Sequence, residues 1–148
     1  MRKIKFRAWD KKEKRIFKVD ELIMSYTTFV HLENHPNYGS QRHGLGEVEL
    51  MQFTGLLDEN GKEIYEGDVV EYFRVGDRSN KIGEIRFVQF GFFIPTDDWQ
   101  KISVLLSTRV LLAVEKGTVK KVIGNIYENP ELLEKVKVEQ SSLTLKHD

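Results

Sequence analysis

Four side chains able to ligate a metal, His31, Glu33, His35 and His43, fall close together in this 148-residue chain. Imidazole nitrogens and carboxylate oxygens are ordinary zinc ligands. His31 and His35 are four positions apart, which would stack them on one helical face, but Pro36 discourages a helix there. In a strand the two would again face one side. The chain has no cysteine and no tight second ligand pair, so the favoured reading is a polar loop that contains histidines, with no metal and no cofactor.

Other combinations point to chemistry still more weakly. Asp97 and Asp98 follow Pro95 and Thr96 and read as a turn; Glu47 and Glu49 read as the solvated face of a strand. Gly44 and Gly46 lack the Lys-Ser/Thr and helix of a phosphate loop. No nucleophile elbow surrounds any serine. No catalytic residue is assigned, and a non-enzymatic protein is expected.

Charge is distributed more pointedly. Formal net charge is zero, but residues 1–19 hold nine Lys/Arg against Asp10 and Glu13, whereas residues 47–72 hold eight Asp/Glu against Lys62. Lys3, Lys5 and Arg7 share one face of an alternating segment, with Lys11, Lys12, Lys14 and Arg15 at its tip. Such a stripe can follow a phosphate backbone, with Trp9 or Phe17 as a stacking surface, so nucleic acid is one candidate partner. If the acidic stretch meets the stripe, within a chain or between subunits, the stripe is neutralised. The favoured alternative is a protein partner held in an aromatic groove lined by Tyr72, Phe73, Phe92, Phe93 and Trp99. Opposed charge segments also favour a homo-oligomer.

The elements that must position these groups are mostly strands. Ile4, Phe6 and Ala8 alternate with Lys3, Lys5 and Arg7, and residues 15–19 can return as the second arm of a hairpin across a charged turn at 10–14. Residues 21–29 fit a strand or a short helix, and the Gly-, Pro- and Asn-containing stretch 35–46 reads as loop. A β signal returns from Glu47 and stops at Thr54-Gly55. Further strands are expected at 69–74, 82–90, 92–94 and 119–127, with turns at 76–80 and 115–118. Residues 99–114 fit helix or strand equally. Asn129-Pro130-Glu131 opens a short helix, with Asn129 as N-cap and Leu132 and Leu133 as docking residues. The tail from Gln140 to Asp148 is expected to fray.

Composition agrees with a folded β protein. Apolar residues make up 40% and aromatics 11%, and a chain of this length buries roughly 70% of its unfolded surface. The start, Met1 to Arg7, is not a signal peptide, and no apolar run is long enough to span a bilayer. Absence of cysteine fits a cytoplasmic protein.

Three ordered blocks carry a family resemblance: Ile4 to Asp10, Leu50 to Val70 and Val122 to Leu133. Within them, Asn60-Gly61 and Gly67-Asp68 supply chain reversals, and Asp68 and Asn125 can cap turns through their side chains. Together the blocks resemble the YopX family of phage and prophage proteins. The resemblance implies an SH3-like β-barrel or roll, self-association, a host or phage protein as the partner, and no catalytic residue that can be transferred. The expectation is one domain over 1–148, with a barrel core at about 48–128, an N-terminal β arm at 1–47, and a helix and tail at 129–148.

Overall fold

A computed structural model describes residues 3–24, 27–36, 42–73, 80–88, 91–95, 111–113 and 119–134. The protein is mainly β, with antiparallel sheets and, among the described residues, one short helix, α1, at 131–134. The chain forms two compact units that divide between Gly55 and Leu56.

In the first unit, β1 (Phe6–Asp10) lies between β2 (Arg15–Met24) and β5 (Val48–Leu57), and β3 (Thr28–Leu32) and β4 (Arg42–Gly44) follow outward from β2. The expected hairpin is present: Arg7 pairs with Lys18 and Asp10 with Arg15. Its turn closes through the Lys14 N–H on the Asp10 carbonyl at 2.9 Å, with Lys14 at φ 55°. Ala8 faces Phe17 on one side and Leu50 on the other. Its small side chain sits in a core made with Phe17, Val30, Leu32 and Val48, against which Val19, Leu22 and Leu50 pack.

The segment that fits either helix or strand, 21–29, is strand at 21–24 and 28–29, with a bend at Thr27. β2 continues to Met24 and β3 begins at Thr28, with a bulge between Val19 and Glu21. Burial of Val30 and Leu32 against the core decides the matter. β4 lies inside the stretch expected to be loop. Its three residues pair with Phe29, Val30 and His31, and a three-residue strand of Arg, His and Gly carries no local β signal.

In the second unit, β6 (Glu63–Tyr65) pairs with β5. β7 (Asp68–Phe73) lies between β8 (Asn80–Glu84) and β12 (Val119–Asn125), while β10 (Gly91–Pro95) lies between β9 (Arg86–Val88) and β11 (Leu111–Ala113). Ile64, Val70, Tyr72, Ile85, Phe92, Ile94, Val119 and Val122 form one core. The strand expected at 82–90 is broken at Ile85. That residue's N–H goes to the Asp68 carbonyl and its carbonyl receives the Gly67 N–H, both at 2.8 Å. Among the described residues no sheet closes into the barrel expected over 48–128, because β5 is hydrogen-bonded to β1 on one side and β6 on the other.

Turns are held by side-chain oxygens that accept backbone N–H groups. Asp58 Oδ1 accepts from Asn60 and Lys62 at 2.9 Å each, and Oδ2 accepts from Val122 of β12 at 3.0 Å, 64 residues away. Asp68 Oδ2 accepts from Tyr65 at 2.8 Å, and Asn125 Oδ1 accepts from Tyr127 and Glu128. These are the turn-capping roles expected of Asp68 and Asn125. Asn129 departs from its expected role: its side-chain oxygen accepts from Asn125 N at 3.4 Å, pointing back along the chain instead of capping α1. Gly124 explains the geometry. A Cβ there would stand 2.5 Å from Asn129 Oδ1 and 2.7 Å from Leu132 Cδ1, so only glycine lets the helical turn settle on β12.

The expectations at 76–79, 89–90, 99–110 and 115–118 and for the tail from Gln140 to Asp148 lie outside the described residues, as do Asp97 and Asp98.

Two stability outcomes follow. Burial raises the Asp58 pKa, but the Val122, Lys62 and Asn60 N–H groups and the Lys62 charge outweigh it and hold the carboxyl below its ordinary value of 3.8. Its stabilisation is therefore complete above that value and is lost as pH falls through the lowered folded-state value. Asp58→Ala should cost about 2–4 kcal/mol at neutral pH, and urea denaturation should show the gap from wild type closing in acid. Gly83→Ala should cost about 1–3 kcal/mol by overpacking, since its Cβ would collide with Ile94 Cγ2 and stand 3.1 Å from Tyr72 Cε1; thermal melts measure that loss.

Candidate functional site

At the end of β1 the chain turns so that Asp10 points inward. Its side chain is only 4% exposed. Oδ1 accepts the N–H groups of Lys12 and Glu13, both at 2.8 Å, which fixes the carboxylate plane. Oδ2 is left facing two imidazoles. His35 Nε2 stands 3.2 Å from it, and His43 Nδ1 stands 4.0 Å away. One ligand atom from each of Asp10, His35 and His43 lies within 4.8 Å of the others.

Each histidine is delivered by its own segment. After β3 the chain reverses at Asn34, whose φ of 56° suits an asparagine in the left-handed region. This reversal drops the His35 ring beside Phe17, with centroids 4.7 Å apart. His43 comes from β4, opposite Val30. The two imidazole centroids are also 4.7 Å apart, with planes at 53°. Beyond β4 the Gly44 N–H donates to Glu47 Oε2 at 2.8 Å, and the Lys11 N–H to the Glu47 carbonyl at 3.1 Å. These bonds hold the turn after β4 to the turn after β1.

Asp10 remains ionised at neutral pH. Burial alone would raise its pKa; the Glu13 and Lys12 N–H groups, with the hydrogen bond and charge of His35, more than reverse that and lower it. An anion beside two imidazoles can accept a proton-bearing ring or complete a cation site.

The four residues first singled out by their chemistry therefore separate. His35 and His43 meet, but His31 pairs with Asp20 at 3.3 Å and Glu33 lies 3.9 Å from Lys18. The reversal at Asn34 parts His31 from His35, so their spacing of four brings no shared face. Asp10 is the member that composition and spacing passed over. Its signal was an acidic residue closing a period-two strand directly before a turn.

The basic residues are dispersed. Lys11 forms an ion pair with Glu49 at 2.7 Å and donates to the Gly46 carbonyl at 3.1 Å. Lys5 lies over the Phe53 ring, Arg15 over Phe17, and one Arg7 guanidinium nitrogen contacts Met51 Sδ at 3.5 Å. Lys3, Lys12 and Lys14 are exposed. The two rings considered for stacking, Trp9 and Phe17, are both buried.

The aromatic set divides as well. Tyr72 and Phe92 belong to the core of the second unit, whereas Phe73 is 39% exposed beneath Lys120. Phe93 sits on β10, paired with Arg86 and Ala113, and Trp99 lies outside the described residues. Phe87, absent from the expected groove, is 47% exposed and meets the edge of Phe92 at 5.2 Å.

The sequence matches the family model described as YopX protein across residues 5–134. The chain belongs to the YopX family. Protein EF1440 from Enterococcus faecalis, known from its crystal structure, is 25% identical with a TM-score of 0.53, covering 90% of this chain and 99% of its own. The crystal structure of protein yopX from Bacillus subtilis is 22% identical with a TM-score of 0.47, covering 90% of this chain and 97% of its own. No curated protein matches the sequence. Among the described residues no helix is long and apolar enough to cross a membrane.

The Lys11–Glu49 pair is close but nearly half exposed on both sides. A double-mutant cycle of Lys11→Gln and Glu49→Gln should return a coupling of about 0.2–1 kcal/mol that shrinks as salt is added.

Proposed function

We propose that this YopX-family chain is a phage- or prophage-encoded, non-enzymatic binding protein of the bacterial cytoplasm. It acts through contacts with other protein surfaces, copies of itself included. The observation that supports this reading is the pairing of β1 with β5, which sets Trp9 opposite Glu49 and Asp10 opposite Val48. That pairing brings Glu47 and Glu49, the part of the acidic stretch that lies in the first unit, beside the basic hairpin, and the Lys11 charge is answered by Glu49. Cations engaged in this way are poorly available to a phosphate backbone.

Exposed apolar side chains supply the contact surface. Phe73 and Phe87 on the second unit are large rings of the kind that anchor protein interfaces. Their use on an SH3-like roll, beside the outer edge of β8, would follow the way small β domains take up extended segments. Nucleic-acid binding is the second reading. It is favoured by Lys12 and Lys14, which remain exposed at the tip of the first hairpin.

Sedimentation velocity over a concentration series, in parallel with fluorescence anisotropy on labelled DNA and RNA, separates the two. The expected result is reversible self-association weakened by Phe73→Ser with Phe87→Ser, and negligible nucleic-acid affinity. A monomer at all concentrations that binds nucleic acid, with affinity falling by orders of magnitude between about 50 and 200 mM salt, would replace this reading with the second.

A further inference from the structure

We infer that Asp10, His35 and His43 form a binding site for one divalent transition metal ion of the zinc class. The inference is independent of the protein-contact reading above.

Three observations carry it. The first is convergence: an oxygen and two imidazole nitrogens from the end of β1, the loop after β3 and β4 lie within 4.8 Å of one another. Ligands around a tetrahedral zinc stand about 3.3 Å apart, given metal–ligand bonds of about 2.0–2.1 Å. Asp10 Oδ2 and His35 Nε2 already have that spacing at 3.2 Å. The 4.0 Å between Asp10 Oδ2 and His43 Nδ1 must shorten by about 0.7 Å, and the widest separation in the set, within 4.8 Å, by up to about 1.5 Å, to reach the spacing of zinc ligands.

The second observation concerns His43. Its side chain is only 12% exposed. Nδ1 is too far from Asp10 for a hydrogen bond, and the buried Nε2 has no hydrogen-bond partner. Burying an imidazole in this way costs free energy that hydrogen bonding does not return. A role confined to fastening the loop would need only Asp10 and His35, and would leave the placement of His43 unexplained. A metal ion would take the Nδ1 lone pair, which Asp10 is too distant to engage, with the proton of the neutral ring on Nε2.

The third is the support behind the carboxylate. The Lys12 and Glu13 N–H groups occupy Oδ1 and leave Oδ2 directed at the imidazoles. Outer hydrogen bonds of this kind orient metal-binding carboxylates. Two nitrogens and one oxygen favour zinc, cobalt or nickel over magnesium or calcium. Three protein ligands leave a fourth position for water or an incoming donor.

The test uses tag-free full-length protein, stripped with chelator and titrated with zinc by calorimetry. Cobalt absorption spectra read the ligand set. The expected result is one zinc per chain, with cobalt bands of nitrogen–oxygen ligation, affinity falling on acidification as protons compete for the imidazoles, and a higher melting temperature with metal. His43→Gln, folded by circular dichroism, should bind zinc roughly 10- to 100-fold more weakly, while His31→Ala, outside the cluster, should bind like wild type. Absence of saturable binding by wild type would overturn the site. So would binding that survives His43→Gln, or that weakens as much in His31→Ala.

Discussion

Carboxylate and amide oxygens turned inward against backbone N–H groups hold this protein's short strands to one another. Asp58 shows most clearly what depends on them. It accepts two N–H groups from its own turn and a third from Val122, so a single side chain fixes a reversal and anchors β12 beside it. Strands of three to ten residues leave many turn amides without ladder partners. Asp10, Asp68 and Asn125 satisfy others in the same manner. Each such residue is almost fully buried, and its charge or dipole is tolerated only because these bonds outweigh desolvation.

In the first unit this device has a second effect. Fixing one oxygen of Asp10 on the turn after β1 leaves the other oriented toward His35 and His43. The residues that build the turn thereby also build the most chemically distinctive corner of the protein. The core of the same unit gathers Ala8 from β1, Phe17 from β2, Val30 and Leu32 from β3 and Val48 from β5.

Much of this organisation was legible from residue pattern. Period-two alternation located β1, and Gly67-Asp68 and Asn125 announced turns that the side chains indeed close. The three blocks from Ile4 to Leu133 pointed to the family that the match over 5–134 shows. What escaped was whatever tertiary pairing decided. Arg42, His43 and Gly44 have no intrinsic preference for a strand and become one only because β3 offers an edge. The break at Ile85 arises from bonds to Gly67 and Asp68, distant in sequence. The partnership of Asp10 with His35 spans 25 residues, and Asp10 itself was counted as one charge in a polar turn. Tyr72 and Phe92 were weighed as groove residues because an aromatic in a strand reads alike whether its face meets solvent or core.

The long reach from Asp58 to Val122 bears on how the protein is made. Among the described residues, the pairings of β1, β2, β3 and β4 all lie within residues 6–52, so those strands have their partners once that stretch has left the ribosome. The second unit is different, because β7 must wait for β12. Until the last strand emerges, the apolar residues of β7 have one neighbour instead of two, and Asp58 lacks its distant donor. Synthesis therefore divides the chain into an early half and a late one, and the late half carries the longer exposure to misassembly and to chaperones.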